Sequence, residues 1–357
     1  MATDAPQHTS DAAEQMLGPV AVAEGPGVAV PAGIPYKRLP LRRRLWSSTI
    51  ALRASRVGMV GFTLVALWVF VAVFAPFLQR YDPLAPVVLP VPAGLTVLDL
   101  PAGSFPSPRP YRPDNPATPR DETVQGYVRA NSGPSPHAWL GTDARGRDVY
   151  SRLVAGTRQV LVIAPASILL GAVIGIMLGL VAGFYGRWVD EILMRLLDAI
   201  IAFPAILLLL IVLSAVGASR GTVTGAIALA AIPGVARLAR SMTLDLRNRE
   251  YVAAARLRGE SGLYIMLFEI LPNARGPIII DLTLRMAYAV FAIATLGFLG
   301  LGLPPPTPDW GTMVAESRNF IRISPWPALF PALAISTLVV GLNLMADGIR
   351  QESARYR

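Results

Sequence analysis

Cysteine is absent from the 357 residues, lysine occurs once, histidine twice, and only 15% of the chain is charged. Without thiols, neither a disulfide framework nor a thiolate metal site can form. A phosphate loop for ATP needs lysine followed by serine or threonine. Here Lys37 is followed by Arg38, so the chain cannot hold that site itself. His8 and His137 are too far apart for the helix pattern of a zinc protease. The shortage of charge, with a mean hydropathy of +0.50, leaves too little polar surface to cover a water-soluble domain of this size. Lipid must cover much of it, and the length holds several spans of roughly 20 apolar residues each.

What charge there is comes mostly from arginine, giving a net +9 and a pI near 10.3. The arginines stand between and beside the apolar runs, as expected of a membrane protein whose cytoplasmic loops are basic, and no nucleic-acid partner is expected. Residues 1–45, polar and rich in Ala, Gly and Pro, read as a disordered cytoplasmic tail. The basic cluster Lys37, Arg38, Arg42, Arg43 and Arg44 precedes the first span, placed within 46–80, and keeps the N-terminus in the cytoplasm. Residues 81–138 form a long proline-rich extracytoplasmic segment, largely irregular. Residues 141–158 suit an amphipathic helix on the outer surface. Within a core over 139–348, five further spans are expected near 160–184, 199–216, 221–236, 277–302 and 326–345. A basic cytoplasmic loop at 247–275 separates the fourth from the fifth, and 349–357 is a second cytoplasmic tail. The class is all-α integral membrane, with six transmembrane helices and both termini inside.

Gly171, Gly175, Gly179 and Gly183 recur every fourth residue on one face of the second span, a pattern that lets another helix approach closely. Glu191, Arg195 and Asp198 stand at helical spacing before the third span and can pair along one face. Asp281 and Arg285, four apart in the fifth span, can form an ion pair on one helical face. Asp198, Asp281 and Arg285 are therefore read either as structural pairs or as charges along a solute pathway, because charge inside a membrane is costly to keep. Gly217-Ala-Ser219-Arg-Gly221 matches a nucleophile elbow. That motif requires a strand before the serine, whereas this one follows a helix, so a glycine-bounded turn is the better reading.

The segment Tyr251-Val-Ala-Ala-Ala-Arg256-Leu-Arg-Gly259, followed by Ile270-Leu-Pro272-Asn273, resembles the EAA loop of ATP-binding-cassette importer permeases. Four further strings resemble the dipeptide, oligopeptide and nickel branch of that family. They are Trp139-Leu-Gly-Thr-Asp143-Ala-Arg-Gly-Arg-Asp148-Val-Tyr-Ser-Arg152; Ala182-Gly-Phe-Tyr-Gly186 with Met194-Arg-Leu-Leu-Asp198 and Phe203-Pro204; Phe298-Leu-Gly-Leu-Gly302 with Pro308-Asp-Trp310-Gly311; and Asn343-Leu-Met-Ala-Asp347-Gly348. The resemblance implies a type I importer permease that works by alternating access and has no catalytic residues. It implies an ATPase-coupling loop carrying Glu250, Ala253, Ala254, Ala255, Arg256, Gly259, Leu271, Pro272 and Asn273. Ala253 stands where the family has glutamate. The implied partners are a second permease subunit, two ATPase subunits or domains that bind ATP and Mg, an extracytoplasmic solute-binding protein and lipid. The implied place is the bacterial inner membrane, and the leading solutes are di- or oligopeptides, with nickel or another small solute as the alternative. A secondary transporter or an intramembrane hydrolase remain as other classes. The segment 81–136, longer than the family's usual one, is expected to help dock the binding protein.

Overall fold

The computed structural model describes residues 55–90, 104–106, 126–304 and 306–355. All of them fall within one compact unit, Trp46–Arg357. The tail 1–45 and much of the proline-rich segment lie outside the described residues.

Apolar runs long enough to cross a bilayer become helices because lipid leaves backbone N–H and C=O groups no partner except one another. The helices are α1 (Arg56–Val73), a short α2 (Ala75–Leu78), α3 (Val149–Tyr185), α4 (Arg187–Ile201), α5 (Ala205–Val216), α6 (Arg220–Leu246), α7 (Glu250–Leu257), α8 (Gly262–Tyr264), α9 (Leu271–Phe298), α10 (Trp310–Ser317) and α11 (Trp326–Arg355). Among the described residues, five helical stretches are long and apolar enough to span a membrane, α8 through α9 counting as one (Gly262–Phe298), and α4 with α5 makes a sixth if that pair, bent by 82°, is one span. The bend falls at Phe203 and Pro204, where proline lacks the N–H that would continue the helix.

Two ends of the bundle differ sharply. At one end a three-stranded antiparallel sheet in the order β1-β3-β2 joins β1 (Val88–Pro90), β2 (Ser104–Pro106) and β3 (Gly126–Arg129). Val128 of β3 lies opposite both Val88 and Phe105 and is fully buried. The sheet is a departure from the irregular segment read in the sequence; pairing gives the backbone groups of a long connection their hydrogen bonds. At the other end lie α7, α8 and a π-helical turn over Ile265–Ile270. We call these the sheet end and the loop end.

The bundle's most extensive helix contact is α3 against the parallel α6. Gly171, Gly175, Gly179 and Gly183 face the carbonyl oxygens of Ala228, Ile232, Ala236 and Arg240, also spaced by four, so two backbones run in register. A Cβ on Gly171 would stand 2.8 Å from the Ala228 oxygen and one on Gly175 2.9 Å from that of Ile232, closer than side chains ever pack. The same economy joins α1 to α11, where Gly58 and Gly61 face Gly348 and Gly341. Trp68 of α1 donates its indole N–H to Thr337 Oγ1 at 3.1 Å, and Ser55 Oγ donates to Gln351 Oε1 at 3.1 Å.

The amphipathic surface helix read over 141–158 is not a separate element. Residues 141–148 form a hydrogen-bonded loop, and α3 starts at Val149 and runs on through the span for 37 residues, about 55 Å at ~1.5 Å per residue. Asp148 caps it by accepting from Ser151 N–H at 2.9 Å and Ser151 Oγ at 2.6 Å.

Candidate functional site: the two ends of α3

At the loop end, α7 rests on the tip of α3. Val252 and Ala255 are fully buried and pack, with Ile265, Met266 and Ile270, on Leu180 and Phe184. The Arg256 guanidinium lies 5.3 Å from the centre of the Phe184 ring. Gly262 passes so close to Phe184 and Tyr185 that a Cβ there would stand 3.1 Å from the Phe184 ring and 3.1 Å from the Tyr185 hydroxyl. Ala253 and Ala254 point away from this base and are exposed, as are Glu250, Arg256 and Gly259. Gly259 adopts φ +77°, which glycine reaches at no steric cost, and turns the chain back toward α8. Leu257, at the end of α7, is 91% exposed and Phe268, in the π turn, 63%, two large apolar side chains held out from a packed base.

The π turn ends where Pro272 interrupts the ladder. Leu271 N–H donates five residues back to Met266, and Pro272, lacking an N–H, enters the first turn of α9. Asn273 donates from Nδ2 to the Glu269 carbonyl at 2.7 Å, bracing the joint. Of the residues singled out for the loop, Ala255 alone is buried; Leu271 is half-buried and the rest are exposed.

The charges near this end pair both across and within helices. Asp190 accepts from Arg240 Nε and Nη2 at 2.5 and 2.6 Å, and Asp198 accepts from Arg237 at 2.5 Å, so both fasten α4 to α6. Glu191 and Arg195 pair within α4 at 2.5 Å, as their spacing indicates. Asp281 and Arg285 pair at 2.5 Å within α9, both half-buried, with the guanidinium lying against Gly234 of α6.

At the sheet end, Asp143 gathers two arginines. Its Oδ2 accepts from Arg147 Nε at 2.7 Å and from Arg152 Nη1 at 2.5 Å, while Oδ1 accepts the N–H groups of Arg145 and Arg147. Glu316 of α10 then accepts from Arg147 Nη2 at 2.7 Å and Arg152 Nη1 at 3.0 Å. This network ties the loop before α3 to α10. Trp310, fully buried, donates to the Leu153 carbonyl at 2.9 Å, sits over Gly156 and meets Trp68 edge-on at 5.1 Å. Residues from strings far apart in sequence thus converge on the first turns of α3. That convergence depends on pairing across more than 150 residues, and periodicity gives no signal of it.

Asp309 caps α10, accepting from Gly311 N–H at 3.3 Å, while its Oδ2 is buried without a partner beside Gly297 and Gly302. Burial pushes its carboxyl from the ordinary 3.8 up to about 6, although the Gly311, Thr312 and Trp310 N–H groups and the Arg152 charge pull it down. Such a group favours the folded state fully below about 3.8, and that contribution is lost as pH rises through about 6. Thermal unfolding of the purified protein should therefore show a pH-dependent stabilisation toward pH 5 that Asp309→Asn flattens; an unchanged slope in the variant would contradict this assignment.

Ser219 of the elbow-like string caps α6. Its Oγ accepts from Thr222 N–H at 3.1 Å, and Thr222 Oγ1 accepts from Ser219 N–H at 2.7 Å, a reciprocal capping box. The helix preceding it removes the strand that a nucleophile elbow needs.

A bundle of membrane-length helices, with one end braced by buried charge and the other presenting a short exposed helix, defines an integral membrane protein. Residues 175–353 match the family described as the binding-protein-dependent transport system inner membrane component. The dipeptide transport system permease protein DppC of Alkalihalophilus pseudofirmus is 34% identical over 299 residues, covering 84% of this chain and 86% of its own length. The glutathione transport system permease protein GsiD of Pectobacterium atrosepticum is 42% identical over 224 residues, 63% of this chain and 74% of its own. Among solved structures, the inward-facing MetNI methionine ABC transporter aligns with a TM-score of 0.47 at 20% identity, over 58% of this chain and 97% of that chain. The chain belongs to the binding-protein-dependent transport permeases, the non-enzymatic membrane subunits of ABC importers.

Proposed function

We propose that this chain is one permease subunit of an ATP-driven importer of di- or oligopeptides, built on the type I plan and working by alternating access. The observation that carries the reading is the exposure of Leu257, at the end of α7, and of Phe268, in the π turn, on two elements that pack against the tip of α3. Large apolar side chains held out in this way suit an interface, and the loop's place in the resemblance makes the partner an ATPase subunit. The relatives named above, a dipeptide and a glutathione permease, support short peptides as the solute.

In this account the loop end is cytoplasmic. Arg237, Arg240, Arg247, Arg249, Arg256, Arg258, Arg275 and Arg350 gather there, and the basic side of a membrane protein is the inner one. Both termini then lie inside, and the sheet end faces outward in the bacterial inner membrane. ATP and Mg are bound by two ATPase subunits or domains, a second permease completes the passage, and a solute-binding protein docks outside. Closure of the ATPases pushes on α7, which bears on Leu180 and Phe184. The rigid α3 carries the displacement to the Asp143 network at its other end, and the glycine ladder makes α6 move with it. Asp281 and Arg285, clamped on Gly234, would hold α9 to this moving pair.

Gly259→Asp tests the coupling role. A Cβ at Gly259 meets nothing within 4 Å, and aspartate tolerates a positive φ better than most residues, so the chain itself can accept the change. Normal membrane insertion with loss of labelled-dipeptide uptake is expected, because bulk and charge would enter the ATPase groove. Preserved uptake would count against the assignment. Outside, replacing 107–125 with a short Gly-Ser linker keeps β2 and β3 connected with room to pair, and should reduce docking of the binding protein to membranes holding the complex; unchanged docking would remove that role from the segment.

A further inference from the structure

Between α1, α3, α9 and α11 lies a cavity of about 560 Å³, lined almost entirely by apolar side chains, Val65, Val69, Pro76, Val162 and Met286 among them. That volume is within the range of small-ligand sites. Val69 is 44% exposed and Val162 61%, so the groove opens sideways from the bundle and not into it. From Val65 to Val73 it follows α1 for about 12 Å at the helical rise of ~1.5 Å per residue and reaches Pro76 of α2, an elongated shape. One charged group lines it, Arg158.

Arg158 is exposed, in the third turn of α3, and no hydrogen bond or ion pair engages it among the described residues. Its neighbours on the same helix are treated otherwise, since Arg152 is bound by Asp143 and Glu316. The next turns are apolar, so the guanidinium stands where the hydrocarbon begins. A cation there is costly unless it reaches the interface or meets an anion. A protein helix filling the groove would have to set an acidic side chain at the same depth. An acidic phospholipid has its phosphate at that level already, and its acyl chain continues into an apolar channel running along the membrane normal.

We propose that this groove is a binding site for one acidic phospholipid of the outer leaflet, with the phosphate on Arg158 and an acyl chain along Val65, Val69 and Met286. The site goes beyond the transport reading, needing from it only which end faces outward. Bound there, the lipid fills a gap between α1 and α3, which meet far less closely than α1 and α11. Arginine suits the task because its fork donates two parallel hydrogen bonds to a phosphate.

The test is native mass spectrometry of the purified permease complex, delipidated and then titrated with phosphatidylglycerol or phosphatidylcholine. The wild type is expected to retain one phosphatidylglycerol about fivefold more tightly than phosphatidylcholine, the preference one interfacial arginine confers. Arg158→Gln should abolish that preference, and Arg158→Lys should restore part of it. Ala72→Trp, which places an indole in the groove, should remove the bound lipid of either kind while the complex stays assembled. An Arg158→Gln complex with the wild-type preference would overturn the proposal. So would efficient cross-linking of Ala72→Cys to the second permease, because a protein helix would then occupy the groove; the absence of native cysteine makes that readout clean.

Discussion

Asp143→Ala is expected to destabilise the protein by about 3–5 kcal/mol, the cost of breaking a buried pair and stranding its partners. Two guanidiniums depend on this one carboxylate. The side chains of Arg147 and Arg152 are only 11% and 5% exposed, and Asp143 is 4% exposed. Glu316, their other acceptor, is 34% exposed and cannot neutralise both. The alanine variant would also release the N–H groups of Arg145 and Arg147 from Oδ1. Heating detergent-solubilised protein and following its monodisperse fraction gives the measurement, with Arg145→Ala as the control. Arg145 is 70% exposed and stands 3.6 Å from Glu316, so its loss should cost less than about 1 kcal/mol. Equal effects from the two substitutions would show that the network does not brace α3.

The second large effect belongs to the glycine ladder. Gly179→Leu should prevent accumulation of folded protein, because a Cβ at that position would overlap the Ala236 carbonyl oxygen and stand 2.6 Å from the Ala239 Cβ. Extra methylenes in a packed core usually cost about 1–3 kcal/mol, and here the obstacle is backbone, which cannot rotate aside. Gly225→Ala is the matched control on α6. A Cβ there meets nothing within 4 Å, and alanine favours helix over glycine by up to ~1 kcal/mol. The two variants are compared by the amount of extracted, monodisperse protein at equal synthesis, and Gly179→Leu matching the wild type would mean that α3 and α6 do not pack in this register.

Features carried by short-range periodicity were legible in the sequence. Glycine every fourth residue announced the close face of α3, and Asp281 and Arg285 announced their pair by spacing of four; the third span, read as continuous over 199–216, is instead broken at Pro204 between α4 and α5. The start of α3 was hidden because Arg152 and Arg158 make its first turns look like a surface helix. Arg152 is buried by an acid supplied from a loop and another supplied 164 residues away, and no local pattern encodes that rescue. Asp198 was readable as a charge beside Glu191 and Arg195 on one helix, yet its partner is Arg237 on another. The small sheet escaped because three- and four-residue strands rich in proline carry no alternation to read. The π turn before Pro272 escaped because an extra residue in a turn leaves no mark in composition.

Affinity purification of the tagged chain from gently solubilised membranes tests the central claim most directly. A second multi-span permease and an ATPase bearing a phosphate loop should accompany the wild type, and the ATPase should be lost selectively from Gly259→Asp. Recovery of the wild-type chain alone, or only as a homo-oligomer, would contradict the account.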